Sequence, residues 1–346
     1  MCHHFRGEFI PWWLLYPPVV AYGIYLSIKH RSITLMTAAN PGIYTGGAFG
    51  ESKFELSREL YRGSPDFVAK TGVIEGSSLS QRLDAFKNNL STLHIDFPVV
   101  LKPDIGQGGL AVEVVRGVEQ ATNYLQRFTN KTLVQEYVCG PYEAGIYYFR
   151  FPDQLHGRIM DITDKQFPTV RGDGEHSVES LIMSNSRTRL FARQYIEQLG
   201  ARAEWILPRG EHIRICERGN WVQGCIFLDG TRLWSPALEK KIDDISRKLD
   251  GFFIGRYDLR YGSEDDLLSG HAFKIVELNG ITALPTSFKD PDTTVWRAWG
   301  LLCKVMSLLY VIGAKNRSRG HPPMSCIDFL MAFIDAKRQM GFLSHG

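Results

Sequence analysis

The sequence predicts an α+β protein built in two blocks that each mix strands with helices. Three observations carry this. FPVVLKP (97–103), LAVEVV (110–115) and TLVQEYV (132–138) are short apolar runs of strand character. SLSQRLDAFKNNLSTL (78–93) and ALEKKIDDISRKLD (237–250) have helical spacing instead. The 346 residues are 44% hydrophobic and 22% charged, enough for one large or two ordinary domains. There is no internal repeat and no long low-complexity segment. A net charge of +3 predicts no nucleic-acid partner. Six scattered cysteines without C-x-x-C or metal-ligand spacing favour reduced thiols in a cytosolic compartment.

The chain opens on twenty uncharged residues, FIPWWLLYPPVVAYGIYLSI (9–28), followed by Lys29, His30 and Arg31. The length matches one bilayer core and the basic edge suits a cytoplasmic headgroup layer. Pro11, Pro17 and Pro18 oppose a simple span because they interrupt helical hydrogen bonding. Membrane contact, whether spanning, re-entrant or interfacial, is therefore expected of residues 9–28; packing on the protein or on a second subunit is the alternative.

Residues 34–53 are rich in Gly, Ala, Asn and Thr and read as a loop leading into a helix at 52–60. After the strands and helix already named, 117–128 reads as helix, and 143–151 and 155–163 as strands. Residues 164–176 read as a polar loop, 178–200 as helix, and 212–217 and 225–230 as strands. FIGRYDLRYG (253–262) and AFKIVELNG (272–280) read as paired strands around an acidic turn, SEDD. An apolar helix follows residue 292, expected to pack in the core because Arg297 and Lys304 interrupt it. A basic linker (315–321) and a short amphipathic helix (326–339) complete the chain given.

Three stretches carry candidate chemistry. On GRYDLRY, Arg256, Asp258 and Arg260 share one strand face, opposite Tyr257 and Leu259. On KIVELNG, Glu277 and Asn279 share a face and Val276 and Leu278 the other. If these strands pair, Asp258, Glu277 and Asn279 converge as three hard oxygen donors, a set that suits Mg²⁺ rather than zinc. Taken alone, a polar strand face with solvated Arg–carboxylate pairs explains the pattern equally well. VVLKPDIGQGG delivers Lys102 from a strand into a turn with Gly106, Gly108 and Gly109, whose amides could approach phosphates. An ordinary Gly-rich hairpin turn is the plainer reading of that stretch alone. In LVQEYVCGPYE a strand edge exits through Gly-Pro into Glu143, an arrangement able to read an adenine ring and hold ribose hydroxyls.

Together and in this order, these stretches resemble the ATP-grasp superfamily, and within it the D-alanine–D-alanine ligase-like carboxylate–amine ligases. The resemblance covers roughly residues 50–312. It implies two α+β subdomains gripping ATP between them. Residues 1–32 form an apolar arm, 33–68 a remnant of the N-terminal pre-grasp domain, and 69–142 the small subdomain. Residues 143–313 form the large subdomain with the metal site, and 314–346 the basic linker and last helix. The pre-grasp domain is expected to be truncated, so the identity of the first substrate is not carried over.

The resemblance also implies roles. Lys102, Lys53 and the loop Gly106, Gln107, Gly108 and Gly109 would hold the nucleotide phosphates. The hinge Gln135, Glu136, Tyr137 and Val138 would meet adenine, Glu136 and Val138 through backbone atoms, and Glu143 or its neighbour Tyr142 would meet ribose. Asp258, Glu277 and Asn279 would bind Mg²⁺, with Mn²⁺ as the alternative ion. Arg256 would stabilise an acyl phosphate and a tetrahedral intermediate. Lys165 and Arg171, in DKQFPTVRGDGEH, would lie near the acyl substrate and triphosphate. Cys139 is expected to be a packing residue. Thr282 and Ser287 are the nearest candidates to face the acceptor.

The implied activity is an ADP-forming carbon–nitrogen ligase acting on small carboxylates and amines, with amino acids the expected class. A kinase of the same fold and a catalytically silent, membrane-associated nucleotide-binding protein are the rival readings. The expected location is the cytoplasm or the cytoplasmic face of a membrane, and a homo-oligomer is compatible with the sequence.

Overall fold

The computed structural model describes residues 7–106, 108–216, 219–220 and 224–341. Helix α1 (Trp12–Lys29) opens it and is continuous through Pro17 and Pro18. A proline lacks the N–H that would bond the carbonyl four residues earlier. Pro18 thus leaves the Leu14 carbonyl free, and the Trp299 indole donates to it (3.3 Å) and to Leu15 O (3.1 Å). The helix that the prolines were expected to interrupt is completed by a side chain distant in sequence.

Next come α2 (Lys53–Gly63), β1 (Thr71–Ile74) and α3 (Leu79–Leu93). Ser52 and Ser78 cap the two helices, each accepting from the amide three residues on. Strands β2 (Val99–Pro103) and β3 (Glu113–Val115), helix α4 (Val118–Arg127) and strand β4 (Thr132–Glu136) complete an antiparallel sheet of order β1-β4-β2-β3. Val99 and Leu101 alternate onto one face and pack with Phe86 of α3 and with Tyr124 and Leu125 of α4. The other face of this smaller subdomain is left for the cleft. Buried Arg82 ties α3 to the α4–β4 turn through Leu125 O, Asn130 O and Thr132 Oγ1.

The second block begins with β5 (Tyr142–Phe149) and β6 (Arg158–Gln166). A ribbon of β7 (Thr169–Arg171) and β8 (His212–Arg214) encloses α5 (Val178–Ser184) and α6 (Ala192–Leu199). Then follow β9 (Ile226–Asp229), α7 (Pro236–Ser246), β10 (Ile254–Tyr261), α8 (Glu264–Leu268) and β11 (Phe273–Asn279). The five-stranded antiparallel sheet runs β11-β10-β5-β6-β9. Leu238, Ile242 and Ile245 of α7, with Leu56 and Leu60 of α2, cover one side. Helix α9 (Val295–Ser318) packs Val305, Leu308 and Ile312 against Tyr147 and Ile254, as its sequence predicts. Helix α10 (Cys326–Gly341) closes the described chain.

Several local expectations change. SEDD is not a bare turn: Ser263 caps α8, accepting from the Asp266 amide at 3.1 Å. The polar loop expected from 164 belongs at its start to β6, which extends to Gln166 and so places Lys165 on a buried strand. Helix α9 absorbs much of the expected basic linker. The 178–200 helix is interrupted by a 3₁₀ turn at Thr188–Phe191. Cys139 is exposed and does not pack.

The largest correction lies in β11. Asp258 pairs with Glu277, but Leu259 pairs with Ile275, so Val276 is the extra residue of a β-bulge. The bulge reverses the side-chain alternation. Ile275 and Leu278, three residues apart, both enter the core, whereas Val276 lines the cleft with Glu277. Strict alternation had put Val276 and Leu278 on one face.

Candidate active site

The two sheets enclose a cleft of about 490 Å³. Its lining includes Lys53, Lys102, Gly106, Gly108, Gly109, Glu143, Lys165, Arg256, Asp258, Glu277 and Asn279. Residues from α2, β2, the Gly loop, β5, β6, β10 and β11 thus meet in one place. Gln107 lies outside the described residues.

Register explains the floor. Asp258 stands opposite Glu277, and Arg256 opposite Asn279, on neighbouring antiparallel strands. Asp258 Oδ1 accepts from Arg256 Nε (3.0 Å) and pairs with Lys165 Nζ (3.0 Å), and its Oδ2 lies 3.5 Å from Asn279 Nδ2. Lys165 also donates to Glu143 Oε1 (2.7 Å), and Arg260 Nε meets Glu143 Oε2 (3.1 Å). Burial alone would raise the Glu143 carboxyl, but Lys165 and Arg260 outweigh it and hold it below its ordinary value. Burial would likewise lower the Lys165 ammonium, yet Asp258 and Glu143 outweigh it and raise it.

The roof is built from β2 and α2. Lys53, the first residue of α2, reaches Glu277 Oε1 at 2.7 Å. Its helix start is fixed by Asp104, which accepts from Ser52 Oγ and from the Phe54 amide. Burial would raise the Glu277 carboxyl, but Lys53 and Lys102 together bring it down to about 2. Lys102 donates to Gln135 Oε1 (3.0 Å) and to Val276 O (3.2 Å). Gln135 Nε2 also donates to Val276 O (3.1 Å). The bulge therefore turns one β11 carbonyl out of the ladder to receive two side chains from the smaller sheet. Burial lowers the Lys102 ammonium to about 8.

The hinge residues form a side pocket with Val100, Lys102, Glu143 and Arg260. Their polar groups are partly engaged. The Glu136 amide donates to Lys70 O (2.8 Å), and Val138 O accepts from Arg260 (3.2 Å). Of the two residues after Gly-Pro, Tyr142 is exposed and Glu143 is buried in the cleft. The structure does not bring Arg171 to this site: it is an exposed residue of β7, outside the cleft lining.

Several lining residues escaped the sequence reading. Gly42, Gly46 and Gly47 let the 40–51 loop press against Asp250, Thr37 and Gly280, where a Cβ would meet backbone atoms within 3 Å. Asn40 pins the loop by accepting from the Phe253 and Ile254 amides. The loop so held delivers Glu51, whose Oε2 has no hydrogen-bond partner among the described residues and whose carboxyl burial raises. GESK held a signal, a carboxylate two residues before the lysine that meets Glu277. Asn220 donates to Gly108 O and lays the Gly loop over the cleft. Tyr16 of α1, Phe227 of β9, Thr286 and Lys289 line the remaining wall, together with Thr282, which the sequence reading did select. Ser287 instead donates to Asp161 Oδ1 (2.5 Å), away from that lining. Burial and Arg256 lower Lys289 to about 8. No spacing marks Tyr16 or Phe227, because their elements reach the cleft only by packing.

The donor chemistry fits a magnesium ion. Two carboxylates and one carboxamide lie on adjacent strands, and both carboxylates already attract ammonium groups. No group of three or more His, Cys, Asp or Glu side chains has metal-binding geometry among the described residues. A hard ion bound here would thus use Asn279 and keep positions for water and phosphate oxygens.

No family model matches the sequence, and no curated protein matches it. Solved structures do match in part. The chain is similar to a bifunctional glutathione synthetase from Pasteurella multocida (15% identity, TM-score 0.39), over 73% of this chain and 36% of that one. It is similar to the D-alanine–D-alanine ligase from Coxiella burnetii (10%, TM-score 0.42), over 78% and 59%. A D-cycloserine synthetase matches at 13% identity and TM-score 0.41, over 74% and 70%. The chain thus spans less than two thirds of the first two. Its own architecture is an α+β fold in which two antiparallel sheets close on a lysine-rich cleft beneath a Gly loop.

Proposed function

We propose that the protein is an ATP- and Mg²⁺-dependent carboxylate–amine ligase that works through an acyl phosphate. The observation that carries this reading is the convergence of Lys53, Lys102, Lys165 and Arg256 with Asp258, Glu277 and Asn279 in one cleft beneath the Gly loop. Five cationic side chains (Lys53, Lys102, Lys165, Arg256, Lys289) and four carboxylates (Glu51, Glu143, Asp258, Glu277) line it, leaving an excess of positive charge for a polyanion.

In this reading Lys102 and Lys53 hold phosphate oxygens, and the 135–138 hinge with Glu143 holds the nucleoside. Asp258, Glu277 and Asn279 would hold Mg²⁺, which would supply charge neutralisation for the phosphates. The substrate carboxylate oxygen takes the γ-phosphoryl group, and ADP leaves. The amine nitrogen then attacks the acyl carbon, loses a proton, and expels inorganic phosphate as the amide forms. Arg256 is fixed by Asp258 and by Leu284 O (3.0 Å), so its charge is oriented before reaction. Lys165 lies on the same carboxylate and shares that role. Positioning and charge neutralisation supply the catalysis, and no side-chain nucleophile is needed.

The test is ADP release by the full chain across a panel of amino acids and small acids. Release should require Mg²⁺, a carboxylate and an amine together, and EDTA should stop it. Trapping of a hydroxamate with hydroxylamine in place of the amine supports an acyl phosphate. A phosphorylated product that hydroxylamine does not intercept would make the protein a kinase. Failure to bind ATP at millimolar Mg²⁺ would remove both readings.

A further inference from the structure

Helix α1 has two faces of opposite environment. Leu15, Val19, Gly23 and Leu26 are buried, and α1 runs parallel to α9. Leu14 lies against Trp299, Tyr22 against Ser307 and Ser27 against Tyr310. The outward face carries Trp12 (74% exposed), Trp13, Tyr16, Val20, Ile24 and Ile28 (72% exposed). Tyr25 is exposed beside them. These positions recur every four residues and hold no charge for about 25 Å of helix. A contiguous apolar stripe of this length on a surface marks an interaction site.

The stripe ends in cations. Lys29 and Arg31 are exposed at the end of α1, and Arg317, from the end of α9, donates to His30 O (3.2 Å). Partial burial, with Lys29 and Arg317 close by, holds His30 below its ordinary value. The surface is thus aromatic and aliphatic along its length and basic at one end. Tryptophan and tyrosine rings combine an apolar body with a polar tip and settle at headgroup depth.

Lying on a surface accounts for α1 better than crossing one. Among the described residues, α9 is the single helix long and apolar enough to cross a bilayer, at mean hydropathy 1.4, and it packs into the core. Lifting α1 out to span would strip Leu15, Val19 and Leu26 of their packing partners. Gly23 also sits tightly on α9, where a Cβ would lie 3.1 Å from the Met306 methyl.

We propose that the outward face of α1 is a membrane-docking surface: its stripe enters the headgroup–acyl boundary of an anionic lipid layer and its basic end meets the headgroups. Tyr16 belongs both to this stripe and to the cleft lining, so docking places the cleft mouth beside the lipid. The proposal does not depend on which reaction the cleft performs.

Flotation of the full chain with vesicles tests it. The protein should float with phosphatidylcholine vesicles containing 30% phosphatidylglycerol, and less with phosphatidylcholine alone or at high salt. Trp12→Glu with Ile24→Glu, both exposed, should reduce binding at least tenfold with an unchanged melting temperature. Lys29→Glu with Arg31→Glu should reduce only the anionic preference. Failure of the unaltered chain to float, or flotation undiminished by the double glutamate variant, overturns the proposal. So does a dimer in light scattering that the same variant converts to monomer while the unaltered chain ignores vesicles, because the stripe then joins two copies.

Discussion

The two ends of the cleft are built by different means. At the end proposed to hold the nucleotide, polar side chains stand on strands or at the start of α2, and each is held by a partner: Lys53 by Glu277, Lys165 by Glu143 and Asp258, Lys102 by Gln135. At the opposite end the wall comes from the 40–51 loop and the turn after β11, joined through the Ile281 amide to Gly46 O and the Thr282 hydroxyl to Ala48 O, with Phe227 and Tyr16 brought in by packing. In the proposed ligase the chemistry that every turnover repeats would sit on the ion-paired end, whereas the surfaces that choose a substrate would be borrowed from loops. The difference predicts that variants of the first end stop the reaction and variants of the second change what enters it.

The sharpest break is Glu277→Ala. It removes one Mg²⁺ donor and leaves Lys53 without its partner, so ADP release should fall on the order of 10³-fold. A coupled ADP assay at saturating Mg²⁺ measures it, and near-normal turnover would remove Glu277 from the site. Next is Gly280→Ala. Its Cβ would lie 2.5 Å from Gly47 Cα and 2.6 Å from Gly46 O. The 40–51 loop must shift, and kcat/KM for the carboxylate should drop by about 10- to 100-fold. The KM for ATP should change far less, and equal changes in both would erase the distinction between the two ends.

A pH dependence follows at the nucleotide end. Lys102, lowered by burial to about 8, is cationic below that pH and loses its charge as pH rises through it. ATP affinity should therefore be flat below pH 7 and fall by about fivefold between pH 8 and 9. Lys102→Arg keeps its charge and should flatten the profile in a titration of nucleotide binding. The smallest effect is expected at Lys289, on the substrate wall. Lys289→Gln should raise the KM of an acidic substrate by about threefold and leave that of a neutral one unchanged.

The legible and illegible parts of the site divide along the same line. Asp258, Glu277 and Asn279 could be chosen because their oxygens have the right chemistry and their spacing puts them on strand faces. Lys102 was legible because an apolar strand leads it into a glycine turn. Lys165 was assigned to a loop, since QFPTVRGDG looks irregular, yet pairing with β5 and β9 holds it as strand. Arg171, chosen in the same motif, goes to solvent with the β7–β8 ribbon. Phe227, Lys289 and Tyr16 carry no local pattern, because packing against segments distant in the chain is what gives them a place.

Sequence alone determined the α+β class, the paired polar faces of Asp258, Glu277 and Asn279, the lysine at the end of a strand before a Gly turn, and the apolar character of residues 9–28, because side-chain chemistry and local periodicity are written residue by residue. The bulge at Val276, the Trp299 bond to the Leu14 carbonyl that Pro18 leaves free, and the face of α1 left open were decided by tertiary structure. Each depends on a hydrogen bond or a contact between segments far apart in the chain. A strand shows its alternation in one dimension, but only its neighbours show where that alternation breaks.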